Sequence, residues 1–290
     1  MSTNIFQVDL EHFYCDYHID VKNKESIDEW QKYRERTVWS TEKLLDLFDE
    51  KGVTATFFVL GCVANRFPQL VERIEEAGHE IASHGYWHEL ATRQSPEEFA
   101  QDLEDSLELL RRYVHSKIIG YRTCNCTLVE ETSWIVDILK THGLRYDSSI
   151  LPFRTHFYGV PDAPIFPYRI SSQNIKVENP NEDFLEFPLS VYRIPFLNKN
   201  IPFSGGFYFR FLPYRFIRHA LRKLNKNGKP GICYIHNWEV DPDQPRIREL
   251  RGKLYHYWGL GSAEKKLNKL FSDFRFVSTR DWIESNSGQV

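Results

Sequence analysis

An α/β fold built from parallel βα units is the architecture this sequence predicts, on three observations. Strand-like and helix-like segments alternate from about residue 5 to residue 150. Several strands end in residues that can do chemistry: Asp9 and Glu11, His84 and His88, Arg122, Asp147, His236. In a parallel β/α barrel those C-terminal strand ends share one face, where active sites are built. Finally, 290 residues with 41% hydrophobic and 27% charged side chains suffice to bury a large core in an ordinary globular protein.

The elements follow in order. Residues 5–9 read as the first strand. Residues 40–51 read as a helix, with Ser40 as cap and Leu44, Leu45, Leu47 and Phe48 as its apolar face, ended by Gly52. The β-branched and aromatic run 54–60 reads as a buried parallel strand. Residues 68–77 form a helix stopped by Gly78, and 81–83 a strand that delivers His84. Ser95-Pro96-Glu97-Glu98 carries a cap, a first-position proline and a capping box, and starts a helix to about Tyr113. A strand over 118–122, a helix over 130–141 and a strand over 144–147 complete the alternation.

Residues 151–210 contain eight prolines and Gly205-Gly206, and read as loops and short strands over one face. A helix over 212–225, a strand over 231–236, a helix over 263–271 and a strand over 274–277 follow. The whole, 1–290, reads as a single domain, with 151–210 as a covering segment and 240–290 as a C-terminal extension.

Composition narrows the function. A net charge of -3 gives no basic footprint for nucleic acid. Five cysteines at scattered spacing suit reduced thiols better than a disulfide framework. The N-terminus lacks the pattern of a secretory signal, and no apolar run approaches ~20 residues, so a cytoplasmic protein without a transmembrane segment is expected. The 15% aromatic share suits a core, and Trp87 and Trp238 are also candidates for stacking on sugars.

His84 and His88 form an HxxxH spacing, which by itself is more often incidental than functional. At a strand exit, however, two imidazoles can converge on one divalent metal. Asp9 and Glu11 lie two apart and face the same way on an extended segment. One completes a two-His-one-carboxylate set and the other stays free as a base. His236, from a distant strand, is a candidate general acid, and Arg122 with Asp147 a pair that orients the base. The set fits metal-assisted amide or ester hydrolysis. Cys124-Asn125-Cys126 is a weaker metal candidate and reads as two ordinary thiols.

Several stretches resemble the NodB-homology polysaccharide deacetylases, carbohydrate esterase family 4, and within them the exopolysaccharide-locus subfamily. They are Val8-Asp9-Leu10-Glu11, Ala55 to Gly61, Gly78 to His88, Gly120-Tyr121-Arg122, Tyr146 to Ser149, Gly205 to Arg210 and Tyr234 to Glu239. The resemblance implies a distorted (β/α) barrel of about seven strands and a divalent metal, most often zinc. It implies removal of N-acetyl groups from an N-acetylated sugar or polysaccharide precursor. By position Asp9 is then the base, Glu11, His84 and His88 the metal ligands, His236 the acid, and Arg122 with Asp147 the supporting pair. The chain departs from the family pattern at His12, where an acid is usual, at Thr123-Cys124 in place of Ala-Pro, and at Asn237 in place of Pro. Two other readings stay open: a hydrolase of non-sugar amides, and a carbohydrate-binding protein without turnover.

Overall fold

The computed structural model describes residues 2–13, 15, 35–155, 158–197, 199–246 and 254–286. In chain order it forms β1 (Asn4–Leu10), α1 (Glu35–Lys51), β2 (Thr56–Val59), α2 (Gly61–Arg66), α3 (Pro68–Glu76), β3 (Glu80–Ser83), α4 (Pro96–Leu110), β4 (Gly120–Tyr121), α5 (Ile135–Thr141) and β5 (Tyr146–Asp147). There follow β6 (Tyr168–Arg169), β7 (Leu185–Glu186), β8 (Val191–Ile194), β9 (Lys199–Pro202), α6 (Gly206–Phe211), α7 (Tyr214–Lys226), β10 (Ile232–His236), α8 (Leu254–Tyr257), α9 (Leu260–Asp273), β11 (Phe276–Val277) and α10 (Thr279–Ser285).

The expected architecture is present. A mostly parallel sheet curls into a half-barrel with helices packed outside. Its path, β10-β1-β2-β3-β4-β5-β7, is parallel throughout, and β6 adds an antiparallel edge. β11 pairs in parallel with Asn4 and Ile5 at the start of β1. β8 and β9 form a separate hairpin.

The two-residue period of β1 divides its side chains between two environments. Phe6 points outward and packs edge-on against Phe48 of α1 and Phe271 of α9, at 5.7 and 4.9 Å between ring centres. Gln7 and Asp9 point inward. The Gln7 amide donates to Ser148 and Thr279, each at 3.1 Å. Thr56, Glu80 and Tyr146 extend this polar floor through a 2.6 Å Thr56–Glu80 bond and a 3.0 Å Tyr146–Glu80 bond. Gln7, Thr56, Glu80 and Tyr146 thus each have a partner, which keeps their desolvation tolerable.

The capping box of α4 forms as read: Glu98 N–H donates to Ser95 Oγ at 3.2 Å and Ser95 N–H to Glu98 Oε2 at 2.8 Å. Other boundaries differ. The first helix starts at Glu35, so Ser40 lies inside it, its hydroxyl donating to the Thr37 carbonyl at 3.3 Å instead of capping. Expected helix 130–141 splits into a 3-10 turn, Glu130–Thr132, and α5, because Thr132 Oγ1 turns back to the Thr127 carbonyl at 2.7 Å. Inside 151–210, expected to be loops and short strands, Gly206–Phe211 is helical. A last helix, α10, is capped by Ser278 Oγ, which accepts from Asp281 N–H at 3.1 Å.

Candidate active site

Six of the seven residues expected at the site converge at the C-terminal ends of the strands. β1 and β10 pair Asp9 directly with His236 in register. β2 and β3 carry the chain to His84, whose N–H donates to the Val59 carbonyl at 3.1 Å. The turn between the two histidines is sharp. Gly85 adopts φ +75° and His88 itself φ +59°, and a non-glycine residue held there stores about 1 kcal/mol of strain. Asp102 of α4 holds this turn by accepting from Tyr86 N–H at 2.7 Å and Trp87 N–H at 3.2 Å.

Glu11 touches both imidazoles. Its Oε1 lies 3.0 Å from His84 Nε2 and 3.1 Å from His88 Nε2. His84 Nδ1 sits 2.8 Å from the Arg122 carbonyl, which can only accept, so Nδ1 carries the proton. The Nε2 lone pair of a neutral His84 then faces a carboxylate oxygen. That contact is repulsive unless a proton or a cation lies there. Glu11 Oε2 is also buried with no hydrogen-bond partner among the described residues. Burial pushes the Glu11 carboxyl up, but the His88 and His236 charges and the bonds to His84 and His88 carry it well below the usual carboxylate range. An anionic carboxylate and two imidazoles form the donor set of a divalent cation site, and these residues fit one.

His84 belongs to two sets whose ligand-type atoms lie within 4.8 Å of one another: with Asp9 and Glu11, and with His88 and Cys124. The Cys124 thiol donates to the His84 carbonyl at 3.3 Å, and burial pushes it well above its usual value, so in this arrangement it is a neutral thiol. His12 turns toward α1, its Nδ1 2.6 Å from Thr37 Oγ1.

Arg122 anchors Asp9. Its Nη1 donates to Asp9 Oδ1 at 2.7 Å, Nε to the Ser148 carbonyl at 2.7 Å, and Nη2 to Ser148 Oγ at 3.0 Å and to Gln7 Oε1. The guanidinium lies between the rings of Phe58 and Tyr234, 4.3 and 4.9 Å from their centres. Asp9 Oδ2 faces His236 Nε2 at 4.0 Å.

One expected pairing fails. Asp147 is not the partner of Arg122. Its carboxylate accepts from Ser149 Oγ at 2.7 Å and Ser149 N–H at 2.9 Å, and it shares a hydrogen bond with Glu186. Two carboxyls buried together cannot both ionise. Burial and the partner carboxyl push Glu186 well up, so the pair retains a proton. Asp147 therefore acts at one remove, by shaping the turn whose Ser148 holds Arg122.

Glu239 and its partner Arg210 are among the residues at the site that were not anticipated. Glu239 Oε1 accepts from His236 Nδ1 at 2.8 Å and from His236 N–H at 3.0 Å, and its other oxygen pairs with the buried Arg210. Its position three residues past His236, in a tight turn, was the available signal. Burial pushes Glu239 up, but Arg210 and His236 bring it down to about 2. Asp9, Glu11, Arg122, Asn125, Tyr158, Tyr234 and His236 are among the residues enclosing a cavity of about 50 Å³.

Residues 35–146 match the family pattern described as polysaccharide deacetylase, and residues 148–284 one described as a domain of unknown function, DUF3473. The chain carries a polysaccharide deacetylase domain over residues 35–146, followed by the DUF3473 segment. Among relatives of this family, a peptidoglycan deacetylase-like protein, FGM2, of Gibberella zeae is 28% identical over 215 residues, 70% of this chain and 60% of that protein. A peptidoglycan-N-acetylglucosamine deacetylase of Bacillus cereus is 38% identical over 72 residues, 25% of this chain and 26% of its own. The chain thus spans between 26% and 60% of the length of these two relatives. A crystal structure from Mycobacterium smegmatis, named for a polysaccharide deacetylase, shares the fold at a TM-score of 0.63 and 19% identity, covering 99% of this chain and 90% of that one. No helix among the described residues is long and apolar enough to cross a membrane.

Proposed function

We propose that this deacetylase domain hydrolyses the N-acetyl amide of an amino sugar in a surface polysaccharide or its precursor, inside the cell. In this reading a divalent cation, zinc before others, is held by Glu11, His84 and His88. The carrying observation is the placement of two proton-transfer groups around those ligands: Asp9 locked by Arg122, and His236 locked by Glu239. The relatives named for peptidoglycan N-acetylglucosamine support the substrate class. Bound there, a divalent cation supplies Lewis acidity toward water and an amide carbonyl.

The chain's own residues do the rest. Asp9, its Oδ1 occupied by Arg122, keeps Oδ2 toward the cavity and takes a proton from the attacking water. His236 presents Nε2 to the same space and gives a proton to the departing amine as the C–N bond breaks. Glu239 holds the His236 ring by Nδ1, so that Nε2 is the nitrogen facing substrate. Acetate and a free amine result.

Metal analysis with acetate assays on N-acetylhexosamine oligomers tests this reading. Near-stoichiometric divalent metal and acetate release are expected in the wild type. Glu11→Gln should lower metal affinity about 10-fold or more. Protein that takes up no divalent metal, or releases no acetate when loaded, overturns the proposal.

Glu239→Gln separates a positioning role from a structural one. Losing the carboxylate removes a charge that favours the imidazolium, so the alkaline limb of kcat against pH should move to lower pH, with kcat down about tenfold. An unchanged limb would make Glu239 merely structural. Stability has its own sign. Glu239 is depressed to about 2, so its contribution is present above about pH 4.5 and is lost as pH falls toward 2.

A further inference from the structure

The charges of this chain are unevenly spread. From Phe187 to Trp238 it carries nine of its 37 Lys and Arg residues and none of its 40 Asp and Glu residues. In a chain with a net charge of -3, a block of one sign this long calls for a partner of the opposite sign.

Folding gathers much of the block on one side. On α7, Arg215, His219, Arg222 and Lys226 stand at i, i+4, i+7 and i+11, so they form one exposed stripe. Ile217, Ala220, Leu221 and Leu224 are buried on the other face. The β8–β9 hairpin lies along the stripe. Tyr192 of β8 packs on Phe216 and His219 at 5.5 and 5.7 Å, and the Lys223 ammonium sits 4.5 Å from its ring centre. The hairpin adds Arg193 and Lys199, both exposed. Among the described residues, Arg193, Lys199, Arg215, Arg222 and Lys226 have no carboxylate partner. Their neighbour Arg218, by contrast, pairs with Asp273 at 2.9 Å.

The tip of this hairpin is apolar. Phe196 is 106% exposed and Leu197 62%. Leu197 N–H closes the turn on the Ile194 carbonyl at 3.4 Å. Phe196 holds φ +69°, a left-handed conformation that costs a residue with a Cβ. One exposed apolar side chain is ordinary. Two in succession, pushed into water at a strained tip beside a row of unpaired cations, have the chemistry of a surface that meets anionic lipid. The cations reach headgroup phosphates while the tip enters the acyl boundary. A nucleic acid or polyphosphate would use the cations and gain nothing from Phe196 and Leu197.

We propose that the β8–β9 tip and the basic stripe of α7 dock this domain on an anionic membrane surface, with Phe196 and Leu197 inserted. The inference goes beyond the deacetylase reading and does not depend on it.

Sedimentation of the full chain with lipid vesicles tests it. Vesicles of phosphatidylcholine with about one third phosphatidylglycerol should bind about tenfold or more tighter than phosphatidylcholine alone, and raised salt should weaken that binding. Arg215→Gln with Arg222→Gln should weaken it about 20-fold, at about fivefold per cation. Phe196→Gly should weaken it about tenfold with the thermal midpoint unchanged, because glycine accepts the positive φ. Relative to the wild type, Phe196→Trp should add indole emission that moves to the blue when the anionic vesicles are present. No binding to either vesicle, or equal binding to both, overturns the proposal. So does vesicle binding that Phe196→Gly leaves unaltered. Binding of polyphosphate or RNA through Arg215 and Arg222, without binding to vesicles, assigns the stripe to a polyanion and overturns it too.

Discussion

Asp9→Asn is expected to lower turnover by about a thousandfold or more while divalent metal content stays at the wild-type level. The geometry gives the reason. Asparagine is nearly isosteric, and its carbonyl oxygen can keep accepting from Arg122 Nη1, now 2.7 Å from Asp9 Oδ1. The atom that changes is the one facing His236 at 4.0 Å, which becomes an amide unable to take a proton. Glu11, His84 and His88 are untouched, so their contacts persist. The measurement pairs steady-state acetate release with metal analysis on the same preparation. Its informative failure is specific. Asp9, Glu11 and His84 also form a close set, so loss of metal in the Asn variant would make Asp9 a ligand and Glu11 the candidate base.

That ambiguity shows where sequence reading ends. The strand-end placement of Asp9, His84, Arg122 and His236 was legible because a two-residue period and β-branched runs fix which way strand residues point. The ion pairs were not legible, because partners separated by a hundred residues leave no periodic trace. Arg122 and Asp147 both sit at strand ends and carry opposite charges, yet Glu186, from β7, captures Asp147. Glu186 lies in the proline-rich stretch where no pattern announces a strand. Gln7 is the converse case. It is two residues before Asp9 on the same strand face, so its inward direction was available, but a neutral amide does not advertise itself as an arginine ligand. Asn237, which stands where the family usually has proline, shows its reason only in three dimensions. Its Oδ1 accepts from Glu11 N–H at 3.0 Å and its amide reaches Ser40 Oγ at 3.2 Å, so it ties the segment carrying Glu11 to α1.

Arg122→Ala is expected to destabilise the fold by about 3–5 kcal/mol, a drop on the order of 10 °C in thermal midpoint, in addition to removing activity. Arg122 is 1% exposed, and the groups it serves are buried with it. Truncation leaves the Asp9 carboxylate without its cation, the Ser148 carbonyl without its donor, and an opening between the Phe58 and Tyr234 rings. Burial works against the guanidinium's charge, and Asp9 more than offsets it, so the pair is well matched as built. Breaking such a pair from one side costs far more than the pair contributes net. Arg122→Lys divides the two roles. An ammonium can neutralise Asp9, but it cannot reach Asp9, Gln7 and Ser148 at once as a planar fork does. Lysine should therefore recover much of the stability and little of the rate, since Asp9 is no longer held at a fixed angle to His236. Thermal melts and kcat measured on the same three proteins check this. If alanine melts with the wild type, the buried network is not holding the barrel mouth. If lysine restores both stability and rate, neutralising Asp9 is all that Arg122 does, and the fork geometry that aims the base carries no weight.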